Sequence, residues 1–187
     1  MRGDGVSQSK SRALIHQLQR EVEQQCQFAM IALQDIEAAR ETDDGLFFWY
    51  SVQNLLTAVG RISRILWPES PEEPDLRAEL RESLEVPDDS PLRARGFIER
   101  FERFDDVIET WHTHSESRRF FDLYTEPLDV LGATDPGDRF RGYDTENRAI
   151  LLHGEKYPTD PISTAVEELA NRARAEIGKP DFDTDSR

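Results

Sequence analysis

The chain has 187 residues, 38 acidic against 23 basic, a formal charge of −15, 37% hydrophobic residues and a lone cysteine. That length fits one domain, or one helical domain with a small appendage, able to bury about 70% of its unfolded-chain surface without staples, and the lone cysteine excludes an internal disulfide. So acidic a surface repels phosphate backbones and anionic lipids at long range, which disfavours free nucleic acid and membranes as partners.

Residues 1–10 are polar and carry no apolar core of a signal peptide, so they read as a flexible tail of a cytoplasmic protein. A first long helix is expected from 11 to 40, where Ile15, Leu18, Val22, Cys26, Ala29, Leu33 and Ile36 recur every three or four residues. The Thr42-Asp43-Asp44-Gly45 cluster ends it, and Asp44 is placed to cap the next helix. That second helix, 46–66, is the most apolar. Phe48, Val52, Leu55, Val59, Ile62 and Leu66 form its stripe, and Phe47, Trp49 and Tyr50 are expected to be covered on several sides. Gln53, Asn54, Arg61 and Arg64 interrupt the block, so it does not read as a membrane span.

Residues 69–91 hold nine acids against two arginines, with prolines at 68, 71, 74, 87 and 91. This reads as an exposed acidic connector containing a short helix over 76–84. Ser90-Pro91 then carries the signature of a helix start, cap residue followed by proline at the first helical position. The helix so opened, 91–115, bears Phe97, Phe101, Phe104, Ile108 and Trp111 as an aromatic seam for packing on the first two helices.

Beyond Arg118 the periodicity changes. Phe120–Leu131 is a short apolar stretch punctuated by Pro127 and Gly132. Arg139–Tyr143 and Arg148–His153 read as strands joined by Asp144-Thr145-Glu146-Asn147, and Gly154-Glu155 turns the chain again, giving a small β-meander over 139–157. A last helix, 161–177, opens on Asp160-Pro161 and closes on Gly178, leaving a polar tail over 179–187. The expected fold is mainly α: an up-down bundle of about four main helices in one domain over 11–178, with a short helix and a β-hairpin or meander in the C-terminal third.

Chemistry is sparsely signalled. Glu109 and His112 make a Glu-x-x-His pair at helical spacing, with His114 nearby, and are the candidate metal ligands. A carboxylate-bridged di-iron bundle needs that motif twice; the remaining histidines, His16 and His153, supply no second copy, so no cofactor is expected. There is no Gly-x-Ser-x-Gly elbow and no phosphate-cradling glycine loop.

Arginine and histidine at short spacing raise a further class. The stretch Arg148-Ala-Ile-Leu-Leu-His153 matches the Arg-x(4–6)-His pattern, although strand geometry sends residues five apart to opposite faces. Two long helices, a connector and another long helix over 11–117 loosely resemble the HEPN-domain ribonucleases, and Phe101-Glu102-Arg103-Phe104-Asp105-Asp106 resembles a Phe-Glu-His-Phe-Asp-Glu segment of bacterial helical-bundle proteins. The resemblance implies an arginine holding phosphate and a histidine moving the proton of a ribose hydroxyl, usually across a dimer interface. Arg95, Arg100, Arg103, Arg148 and His153 are then the candidate catalytic residues. The chain departs from the pattern where Arg103 stands at the histidine position, and no histidine follows Arg95 or Arg100 at the required spacing. An arginine does not serve as a base near neutral pH.

The leading expectation is therefore a non-catalytic helical protein acting through a protein partner or as a homodimer. A HEPN-like ribonuclease or its degenerate relative is the alternative, and a metal-dependent enzyme built on Glu109 and His112 the second alternative.

Overall fold

The first helix, α1, runs unbroken over Asp4–Glu41, because nothing from Val6 onward interrupts it with glycine or proline. It thus includes residues 4–10, expected as a tail. The computed structural model describes residues 4–72, 74–125 and 135–179. The second half of the apolar stretch expected over 120–131, and the tail beyond Lys179, lie outside these residues. Asp43 ends α1 in the left-handed conformation (φ 54°), with the Asp44 amide donating back to the Ala39 carbonyl. The Asp44 carboxylate then accepts from the Phe47 amide at 3.0 Å and caps α2 (Gly45–Leu66). This tight turn folds α1 and α2 into an antiparallel hairpin. Its seam buries Val22, Cys26, Ala29 and Ile36 against Val52, Leu55, Val59 and Ile62.

The acidic segment after α2 is not a mere exposed connector. Its helix α3 (Pro74–Ser83) buries Leu76 and Leu80, and Leu84 and Leu92 are buried beyond it. Arg77 and Arg81 donate to the carbonyls of Ile65 and Leu66, satisfying two of the acceptors that a helix end leaves open. Gln19 of α1 is tied to Ser83 at 3.0 Å. Acidic side chains fill the outer face and leucines at helical spacing the inner one, so composition alone hid a core element.

The chain divides into two compact units where one domain was expected: residues 1–93 with 165–187, and residues 94–164. The first is the α1–α2 hairpin with α3 and most of α6 (Thr159–Ile177), which buries Val166, Leu169, Ala170 and Ala173.

The second unit contains the aromatic segment. The single helix expected over 91–115 is two: α4 (Arg95–Glu102) and α5 (Phe104–His114), broken at Arg103 (φ −99°, ψ 46°). Ser90-Pro91 makes a turn, closed by the Arg93 amide on the Ser90 carbonyl, and the helix starts only at Arg95. A three-stranded antiparallel sheet comes next, in the order β1 (Arg141–Asp144), β2 (Ala149–Leu152), β3 (Glu155–Pro158), with Tyr143 opposite Ile150 and Ile150 opposite Tyr157. The expected meander is present, but its second turn lies one residue earlier than Gly154-Glu155, and Arg148 and His153 flank the strand they were expected to belong to. His153-Gly154 forms its second turn with both residues at positive φ (50° and 81°), as a two-residue hairpin of this hand requires. Within this unit the aromatic stripe packs on the sheet region. Phe97 stacks on Tyr157 at 5.0 Å, and Phe104 and Trp111 meet Phe140 edge-on at 6.0 and 5.7 Å. The helix α6 begins at Thr159, two residues before the expected start, with the Thr159 hydroxyl on the Arg148 carbonyl at 2.7 Å.

Candidate functional site

Beside the buried seam of the hairpin, both helices carry a second flank at helical spacing. On α1 it holds Phe28, Ile31 and Asp35; on α2 it holds Tyr50, Asn54 and Arg61. Together these line a groove of about 340 Å³. The flank is open. Phe28 is 45% exposed, Ile31 53% and Tyr50 60%, and at the start of α2 Leu46 is 85% and Phe47 36% exposed. The expected cover over the first turn of α2 therefore holds for Trp49, which is buried, and fails for Phe47 and Tyr50. Their rings stack on each other, 6.4 Å between centroids. Exposed apolar side chains are common singly; several on one groove are what marks a contact face. The polar groups there are Gln25, Asn54, Thr57, whose hydroxyl is turned onto the Gln53 carbonyl at 2.8 Å, and one charge of each sign. Phe28 and Ile31 fall outside the four-three stripe of α1, so the signal for this flank was two unassigned large apolar residues on an otherwise polar face.

A second cavity of about 290 Å³ lies in the other unit, lined by Arg100, Asp106, Thr110, Leu152, His153 and Glu155 among others. It brings together two of the candidate catalytic residues, Arg100 and His153. Arg100, however, is ion-paired with Glu155. With Asp106 beside it, the lining carries two carboxylates against one guanidinium, a poor setting for a phosphate.

The remaining candidates are held apart. Arg148 and His153 cap opposite ends of β2. Arg148 closes the first hairpin loop at φ 47° and is paired with Asp160 at 2.8 Å, while His153 sits in the second turn. Arg95 pairs with Glu99 and Arg103 with Asp106, each within its own helical turn. Glu109, His112 and His114 are all exposed on α5. His112 Nδ1 lies 3.2 Å from the Arg118 guanidinium, and His114 Nδ1 lies 2.8 Å from the Thr110 carbonyl. Among the described residues no three His, Cys, Asp or Glu side chains converge to hold a metal ion. Cys26 is fully buried in the hairpin seam, and burial, aided by the Glu23 charge, pushes its thiol up to about 12; it is no nucleophile at neutral pH.

Two buried carboxylates are structural. Asp138 accepts from the Ser117 and Ser115 hydroxyls and from the Trp111 indole, and the Ser117 bond foremost holds it below the ordinary carboxylate range. Asp144 is raised by burial, but its bonds from Asn147 and Lys156 outweigh that and keep it low. Asp138 ties the end of α5 to the segment before β1, and Asp144 organises the first hairpin loop. Neither lines the groove or the second cavity.

Among the described residues no helix is long and apolar enough to cross a membrane. Comparison of the chain with protein-family models, with curated proteins and with solved structures finds no match.

Proposed function

We propose that this chain is a non-catalytic cytoplasmic protein that works by protein–protein contact, with the open flank of the α1–α2 hairpin as its docking face. The observation that carries the reading is the exposure of Phe28, Ile31 and Tyr50 around one groove, with Leu46 exposed one helical turn before Tyr50, on a chain that is otherwise strongly charged. A mixed lining of aromatic, aliphatic and a few polar groups is the composition of a non-obligate protein interface. The candidate catalytic arginines are taken up in ion pairs, and Arg148 and His153 stand at opposite ends of a strand.

The test is site-specific photocrosslinking in the native host. A photoreactive residue at Ile31 is expected to give a discrete protein adduct, identified by mass spectrometry, whereas one at exposed Asn171 on α6 gives none. Equal labelling from both positions, or none from Ile31, would overturn the reading.

A further inference from the structure

We infer that the occupant of the α1–α2 flank is a second copy of this chain, joined through a two-fold axis that crosses the helices at the level of Ile31 and Asn54. The inference rests on the docking reading and names the partner.

Because α1 ends at Glu41 and α2 begins at Gly45, residues equally far from the turn lie level. Asp35 is therefore within one residue of the level of Tyr50, Ile31 within one residue of that of Asn54, and Gln25 level with Arg61. The groove has an acid at its turn end, a base at its far end about 15 Å away (ten residues at 1.5 Å each), and apolar side chains between. Two chains of charge −15 repel each other at long range, so contact between copies requires a face that is locally apolar and balanced in charge. This flank meets both conditions.

Its polarity also selects the symmetry. A two-fold axis parallel to the helices would place Asp35 level with Asp35 of the second copy and Arg61 level with Arg61. An axis across the helices instead stacks each helix antiparallel on its own copy. The Asp35 end of one groove then lies level with the Arg61 end of the other, diagonally across from it because Asp35 is on α1 and Arg61 on α2, twice per dimer, and Arg61 of the second copy approaches the Tyr50 ring. Ile31 meets its own copy near the axis. Such an isologous contact completes a four-helix layer from two hairpins.

Sedimentation equilibrium of the full chain tests this, with circular dichroism to show that each variant is folded. The wild type is expected to dimerise. Ile31→Glu, which sets two carboxylates together at the axis, should weaken the dimer by about 30-fold or more, as loss of a central anchor does. Asp35→Arg and Arg61→Asp should each weaken it severalfold by bringing like charges together. The double swap, Asp35→Arg with Arg61→Asp, should restore association, because every cross-axis pair is reversed at once. A monomeric wild type, a dimer indifferent to Ile31→Glu, or a double swap no better than its single variants would each overturn the proposal. A monomeric chain that still crosslinks a different protein through Ile31 removes the second copy and keeps the docking face. Absence of any adduct at Ile31, with itself or another protein, removes both.

Discussion

The guanidinium of Arg81 donates to the carbonyl oxygen of Leu66 at 2.7 Å, fastening the middle of an acidic segment to the C-terminus of the most apolar helix. Arg77 does the same one turn earlier, on Ile65, at 3.0 Å. Between them they convert a stretch rich in proline and acid into part of the core, because the same turn of α3 that presents these arginines also buries Leu80.

Truncating that anchor should be costly. Leu80→Ala is expected to lower the unfolding free energy by about 2–5 kcal/mol, the range for emptying a fully buried leucine site. Glu79→Ala on the outer face should change it by no more than about 0.5 kcal/mol. Urea denaturation measures both; equal small effects would mean that the segment is an exposed connector after all.

Gly142 is needed for the close approach of a side chain. The Tyr124 ring crowds it: a Cβ at Gly142 would lie well inside contact distance of Tyr124 Cζ and Cε2. The Tyr124 backbone also bonds to its neighbours in β1, donating to Arg141 and accepting from Tyr143. Gly142→Ala should therefore displace Tyr124 and loosen the sheet, costing about 1–3 kcal/mol as overpacking does. The measurement is hydrogen exchange. Faster exchange at Tyr143, with α1 and α2 unchanged, is the expected pattern.

Acid should destabilise the sheet-bearing unit. Asp138 and Asp144 both have lowered carboxyl pKa values in the folded chain. Groups of that kind contribute stability that is present above the unfolded carboxylate value of about 3.9 and lost as pH falls through the folded values. Asp144→Asn should flatten this acid limb while leaving stability at neutral pH lower than in the wild type, since Lys156 loses its charged partner. Thermal melts between neutral and strongly acidic pH provide the check; an acid limb of unchanged steepness in the variant would contradict the assignment.

The Cys26 thiol should be silent in the folded chain. With its ionisation pushed up to about 12 and no exposed surface, it is expected to react with an aromatic disulfide reagent only as fast as the hairpin opens. The sign for stability is opposite to that of the carboxylates: folding favours the neutral thiol, so its contribution is lost as pH rises above the unfolded thiol range. Rapid labelling under native conditions would show that the α1–α2 seam is not closed.

Removing Arg148 or His153 should not abolish an activity. Arg148→Ala breaks a partly exposed ion pair to Asp160 and is expected to cost less than about 1 kcal/mol. Neither variant is expected to alter RNA turnover relative to the wild type. A wild-type cleavage activity that disappears in both variants would reverse the functional reading.

Much of the helical architecture was legible because periodicity is a local property. The stripe from Val22 to Ile36 and the one from Phe48 to Leu66 each define a face without reference to the rest of the chain. The Asp44 cap, the Asp144–Asn147 loop and a turn at Gly154, expected one residue later than it falls, are likewise set by residues within a few positions of one another. What local pattern does not contain is the identity of the surface that a face meets. The leucines of α3 are buried against partners far away in the chain, with Arg77 and Arg81 reaching back to α2 and Ser83 bonded to Gln19 of α1. The break at Arg103 has no glycine or proline behind it, and beyond it Phe104 and Trp111 seat on Phe140. The separation of Arg148 from His153 is fixed by the strand between them. The open flank is the same kind of result. Phe28, Ile31 and Tyr50 are apolar in any context, and only the packing of the hairpin leaves them uncovered. The sequence determined which residues make helices and turns, because those choices depend on near neighbours. The tertiary structure decided which apolar surface is core and which is left to meet another molecule, because burial depends on residues far apart in the chain.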